Sequence, residues 1–235
     1  MRPIAIFRFS KTEGPAHFAE WLDRESLPWQ LIAVDEGAAI PADARAFSGI
    51  GMMGGPMSVT EALAWIDPLS QLLRAAIADD VPVIGHCLGG QLLAQALGAR
   101  VQRTPVPEIG WIDVQSTDAK AQRTWFGGHA QFTAFQWHYD VFELPSGATR
   151  VLTNRFNPNQ AYVIGDRHIG FQCHIEMTAD LVETWCGTGA DEIAASGTPS
   201  RQSRGDILRD MPARLTALQA IADGVYARWA QGLAR

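Results

Sequence analysis

VIGHCLGGQLLAQALG, residues 83–98, changes its period halfway along. Val81, Val83 and Ile84 are apolar and β-branched, which suits a short strand buried on both faces. Leu92, Leu93, Ala96 and Leu97 then recur at helical spacing, with Gly98 placed as a C-terminal stop. A strand running into a helix leaves Cys87 on the turn between them, with Gly85 and Gly89 around it in a G-x-C-x-G pattern. This is the thiol counterpart of the nucleophile elbow, where small neighbours permit a sharp, strained turn. The side chain then projects from the carboxyl edge of a sheet. The N–H groups that follow open a helix, whose partial positive charge favours a thiolate and can stabilise an oxyanion. A lone cysteine in such a turn reads first as a packed core thiol. A base is needed to make it a nucleophile.

That base stands in HIGFQCHIEMTADL, which reads as a second short buried strand ending in His174-Ile175-Glu176, with Thr178 as the N-cap of a following helix. Two residues apart on an extended segment, the imidazole and the carboxylate point to the same side, so Glu176 can hold the tautomer and orientation of His174. On its own H-x-E also describes a surface salt bridge. A thiol, a base and an orienting acid, each after a strand, form the set that nucleophilic catalysis requires.

These residues resemble a known family. GHCLGGQ is similar to the G-x-C-x-G-x-Q signature of class I (triad) glutamine amidotransferases, and FQCHIE to the family's histidine–glutamate segment, with Ile175 where the family often has proline. GIGMMGGPMSV, residues 49–59, resembles the strand and Gly-Gly-Pro loop that completes the oxyanion hole, and the three motifs occur in the family's order. The resemblance covers roughly residues 1–185 and is closest to stand-alone domains like the amidotransferase half of GMP synthetase. It implies catalytic Cys87, His174 and Glu176, an oxyanion held by the Gly55 and Leu88 N–H groups, and a pocket touched by Gln91 and the Tyr139 backbone. The implied substrate is glutamine or another γ-glutamyl small molecule, without a cofactor or a metal, and any ammonia-accepting synthetase would be a separate chain.

The first half of the chain alternates strands with helices: IAIFRF, AHFAEWLDRE, WQLIAV, FSGIGMMG and LSQLLRAAIADD precede the elbow. Such alternation implies right-handed crossovers, a parallel sheet and sites at its carboxyl edge. From Trp111 to Cys173 short aromatic and β-branched segments read as antiparallel hairpins beside the main sheet. The expected fold is α/β, a doubly wound, mostly parallel flavodoxin-like sheet with added antiparallel strands. One domain is expected over residues 1–235, with a flexible loop at 187–206 and a helical extension at 207–235.

At 235 residues with a formal net charge of −6 and no lysine- or arginine-rich run, the chain is not expected to bind nucleic acid or an acidic membrane. Three cysteines without framework spacing fit a reducing cytosol, with Cys173 and Cys186 read as structural. The opening apolar run is too short for a signal peptide, no stretch is apolar enough to span a bilayer, and six scattered histidines show no ligand spacing.

Two features stay open at this level. His138 and Asp140 in QWHYD are a second acid–base pair or a half-buried strand end, and Glu108 in PEIGW is a pocket residue or an ordinary solvated carboxylate. MMGGPMS is not a Walker-type phosphate loop, because it lacks the lysine and the hydroxyl residue that follows it. Two rivals use the same residues differently. An esterase-like α/β-hydrolase is disfavoured because its acid normally precedes the histidine, and a non-catalytic flavodoxin-like module would use Cys87 only as a packed or redox-sensitive thiol.

Overall fold

The computed structural model describes residues 1–194 and 198–233. Its nine strands form one sheet in the order β2-β1-β3-β4-β9-β8-β7-β5-β6. Five of them, β1 (Ile4–Arg8), β2 (Trp29–Ala33), β3 (Gly49–Met52), β4 (Val83–His86) and β9 (His168–Phe171), pair in parallel in the flavodoxin-like order. The other four, β5 (Val101–Ser116), β6 (Gln131–Phe142), β7 (Thr149–Thr153) and β8 (Ala161–Ile164), continue the sheet in antiparallel fashion. The α/β fold with added antiparallel strands is thus the one expected.

Alternation along β1 shows why the parallel half is buried on both faces. Ile4 and Ile6 join one core cluster with Phe18 and Trp229, whereas Ala5 and Phe7 join another with Leu72 and Leu92. Helices α1 (Ala16–Arg24) and α8 (Met211–Ala230) supply the first cluster, and α2 (Ile66–Ala78) and α3 (Leu88–Ala96) the second. Residues 207–235 were expected as an extension, yet Tyr226 and Trp229 of α8 are fully buried beside Phe18. The segment belongs to the core of the sheet; residues 234 and 235 lie outside the described ones.

Elsewhere the structure differs from the pattern reading. β9 is not an added hairpin strand: it pairs in parallel with β4 and antiparallel with β8, so it joins the two halves. β5 begins at Val101, ten residues before Trp111, because Pro105 and Pro107 mask a strand whose register shifts between Arg103 and Glu108. Helix α4 (Ala119–Trp125) was not foreseen; the Asp118 carboxylate caps it, accepting from the N–H groups of Lys120 and Ala121.

The loop expected at 187–206 is corrected. Its start completes α5 (Ala179–Thr188), α6 (Ala190–Ala194) follows, and α7 (Arg204–Leu208) takes up its end. Between the last two, Ser200 accepts from the Ile109 N–H at 2.8 Å and Gln202 bonds both ways with the Trp111 backbone, so the chain lies against β5. Residues 195–197 of that expected loop lie outside the described ones.

Candidate active site

The loops that follow β1, β3, β4 and β9 converge at the carboxyl edge of the parallel strands. Cys87 is the first residue after β4 and precedes α3, with φ 48° and ψ −106°. A side chain rarely adopts this conformation, so the strain of the elbow sits on the cysteine itself. The glycines have another task. A Cβ at Gly85 would lie 2.5 Å from the Gly89 backbone, at Gly89 2.6 Å from Met52, and at Gly90 2.3 Å from the Phe171 carbonyl oxygen. Most of these neighbours are backbone and cannot swing aside, so the glycines let β3, α3 and β9 approach closely around the thiol.

His174 does not lie on a strand end as expected. β9 stops at Phe171, and His174 is held by an isolated bridge to Phe135, its N–H donating to the Phe135 carbonyl at 2.8 Å. Its Nδ1 is 2.6 Å from Glu176 Oε1, and both side chains are buried. Trp185 of α5 packs edge-on against the imidazole, centroids 4.7 Å apart. Burial disfavours the imidazolium, but the Glu176 carboxylate and the neighbouring Cys87 sulfur outweigh it and hold the His174 pKa well above the ordinary histidine value. Burial likewise pushes the Glu176 carboxyl up, and the His174 cation more than reverses this, bringing it to about 2.

Gly54 and Gly55 follow β3. A Cβ on Gly55 would lie 2.6 Å from the Leu88 side chain, so these two backbone segments flank the thiol side by side. The Gly89 N–H is used internally, donating to the Met53 carbonyl at 3.1 Å.

Gln91 is almost fully buried, and its amide donates to the Asp140 carbonyl at 3.0 Å and to Gln172 Oε1 at 3.2 Å. Gln172 in turn points its Nε2 at Cys87 Sγ, 3.6 Å away. The sequence reading missed Gln172, although it stands two residues before His174, in the spacing that singled out Glu176. Tyr139 lines the cavity with its ring under the Arg103 guanidinium, 4.6 Å from the centroid.

Both ambiguous features resolve together. Glu108 is fully buried rather than solvated, and its carboxylate accepts from Asn154 and, at 3.0 Å, from Gln160, with His138 Nε2 3.1 Å away. His138 thus pairs with Glu108 across the β5–β6 ladder, while the Asp140 carboxylate accepts from the Ser58 hydroxyl at 2.5 Å. Cys173 and Cys186 are buried free thiols whose pKa values burial raises. No cluster of metal-ligating side chains and no helix long and apolar enough to cross a membrane occurs among the described residues.

Cys87 opens into a cavity of about 630 Å³. Besides Gly55, Gln91, Tyr139 and Asp140, its walls include Thr12 and Glu13 from the loop after β1, and Trp185 and Glu192 from α5 and α6. Nothing in the sequence marked these last four, because their separation along the chain hides their meeting.

Comparison with known proteins places these features in a family. The family model for glutamine amidotransferase class-I matches residues 24–184. The glutamine amidotransferase-like protein YfeJ of Salmonella typhimurium is 30% identical over 77% of this chain and 79% of its own length. The glutamine-hydrolysing GMP synthase of Aeropyrum pernix is 28% identical over 74% of this chain, which spans only 32% of that protein. A crystal structure of a glutamine amidotransferase from Methylobacillus flagellatus superposes with a TM-score of 0.97 at 44% identity, covering 100% of this chain and 96% of the other.

Proposed function

The chain belongs to the class-I glutamine amidotransferase family, and on that premise we propose that Cys87, His174 and Glu176 hydrolyse a γ-glutamyl amide through a cysteine thioester. The observation that carries this is the strained Cys87 beside a buried His174 whose Nδ1 lies 2.6 Å from Glu176 Oε1. A cysteine on a strained turn beside an imidazole that a carboxylate orients is the nucleophile, base and acid that thiol acyl transfer requires. The thiolate adds to the side-chain carbonyl carbon, and the oxyanion settles on the Gly55 and Leu88 N–H groups, each worth about 3 to 4 kcal/mol. The intermediate collapses as the C–N bond breaks and His174 gives its proton to the departing nitrogen. His174 then takes a proton from water, whose oxygen attacks the thioester, and the C–S bond breaks to release glutamate and the thiolate.

Gln91 and the Tyr139–Asp140 backbone hold the amino-acid end of the substrate, tied to the nucleophile through Gln172. With glutamine the leaving group is ammonia, which a synthetase partner can accept, as the similarity to the glutamine-hydrolysing GMP synthases suggests. A second reading, hydrolysis of larger γ-glutamyl amides or peptides, is favoured by the size of the cavity beyond the thiol. Three free, buried thiols support a reducing compartment.

Intact-mass analysis after exposure to a glutamine-mimicking electrophile tests the assignment. One adduct at Cys87, blocked by glutamine and absent from Cys87→Ser, is expected; labelling at Cys173 or Cys186 instead would overturn it.

A further inference from the structure

The family match ends at residue 184, but the cavity does not. Thr12 and Glu13 before the matched region, and Trp185, Thr188, Gly189 and Glu192 after it, line one end. That end is next to His174. A Cβ on Gly54 would sit 2.2 Å from Glu13 Oε2 and 3.1 Å from His174 Cε1, so the carboxylate and the imidazole flank the same point. His174 hands its proton to the leaving amine, and Glu13 therefore borders the space that amine enters.

The carboxylates around the cavity are not equivalent. Ser58 satisfies two of them, donating its hydroxyl to Asp140 and its N–H to Glu61 at 2.7 Å. Glu192 accepts from the Trp137 indole at 3.1 Å. Glu13 has no such donor among the described residues: burial and the nearby Glu176 charge push its carboxyl up to about 7, opposed by the charge of His174. Among the described lining residues the cation is Arg103, which stacks over the Tyr139 ring, and Arg201 lies 5.5 Å from the same ring. Trp137 and Trp185 meet edge to face beside Glu13, their centroids 6.0 Å apart, and offer apolar walls to an alkyl chain and π faces to a cation.

We propose that Glu13 makes the leaving-group end of the cavity selective for γ-glutamyl amides whose amine carries a second, positively charged nitrogen. The assignment rests on the hydrolase reading above. The γ-glutamyl carbonyl sits at Cys87, the methylene chain runs along Trp137 and Trp185, and the distal ammonium meets the Glu13 carboxylate. Hydrolysis then releases glutamate and the free diamine.

Steady-state glutamate release by the purified full chain tests this with four substrates: glutamine and the γ-glutamyl amides of butane-1,4-diamine, butylamine and 4-aminobutanoate. The cationic tail is expected to exceed the neutral butyl tail by about tenfold in kcat/KM, the worth of one charge-assisted contact, with the anionic tail slowest. In Glu13→Gln the ratio of cationic to neutral tail should fall to about one, and the ratio, not the absolute rate, is the readout. Equal rates for the three tails in the wild type, or an unchanged ratio in Glu13→Gln, would overturn the proposal. Should Glu13→Gln fail to fold, the wild type decides: butane-1,4-diamine must inhibit hydrolysis of the butylamide more strongly than butylamine does, and equal inhibition refutes the proposal. Release from glutamine and the butylamide without charge preference removes only the selectivity. No release from any of the four, with Cys87 unlabelled by the electrophile, removes the hydrolase reading itself.

Discussion

The parallel and antiparallel halves of the sheet build their parts of the site in different ways. In the parallel half backbone geometry does the positioning: Cys87 is held at φ 48° between a strand and a helix that glycines bring into close contact. In the antiparallel half side chains do it. Glu108, Asn154, Gln160 and His138 form a buried polar cluster behind Tyr139 and Asp140, with Gln136 donating to Gln160 at 2.8 Å. A strained backbone stores energy at one residue, whereas a buried network stays favourable only while every member is satisfied. The halves should therefore fail differently when disturbed.

The largest expected effect breaks the parallel half. Cys87→Gly removes the nucleophile and, because glycine adopts that conformation freely, relieves the elbow. Amide hydrolysis should fall by a factor on the order of 10⁴ or more while stability rises by about 1 kcal/mol, read as glutamate release and a urea midpoint. A lower midpoint for this variant would show that the elbow is not strained.

Next comes the antiparallel half, where the order of effects reverses. Glu108→Ala leaves Asn154 and Gln160 without their acceptor and His138 without its facing carboxylate, and should lower stability by about 3 kcal/mol. Substrate binding should weaken through the Tyr139–Asp140 wall, while the labelling rate of Cys87 by a small, non-amino-acid electrophile stays near the wild-type rate. Loss of that labelling in a folded variant would mean that the halves are not separable.

The smallest effect sharpens the comparison at Glu13, which belongs to the parallel half but acts through a side chain. Its carboxyl titrates near 7 in the folded protein against about 4.5 in the unfolded chain, so between those values the folded state binds more protons and stability falls as pH rises. The contribution is intact below pH 4.5 and lost above about 7. Glu13→Gln should thus be more stable than wild type by about 1 kcal/mol at pH 8, a figure discounted for its partial exposure, and indistinguishable at pH 4. A difference that does not change between those two pH values would show that Glu13 is not desolvated in the folded protein.

How much was legible follows the length scale of each signal. The elbow, the Gly-Gly-Pro corner and His174-Ile175-Glu176 are local patterns, since strand period, helix period and i,i+2 spacing are properties of a few consecutive residues. Their convergence at one edge follows from parallel connection, which sends every strand's carboxyl end the same way. The sequence by itself therefore determined the α/β fold and the chemical types of the site. Only tertiary structure decided that His174 lies beyond the end of β9, that Glu108 is buried with His138, and that residues 207–233 belong to the core. The physical reason is shared: a carboxylate, an imidazole or an amphipathic helix has the same local pattern whether it faces water or a partner. Glu108 finds His138 thirty positions away, and Glu13 meets Trp185 and Glu192 around one cavity only after the whole sheet has closed.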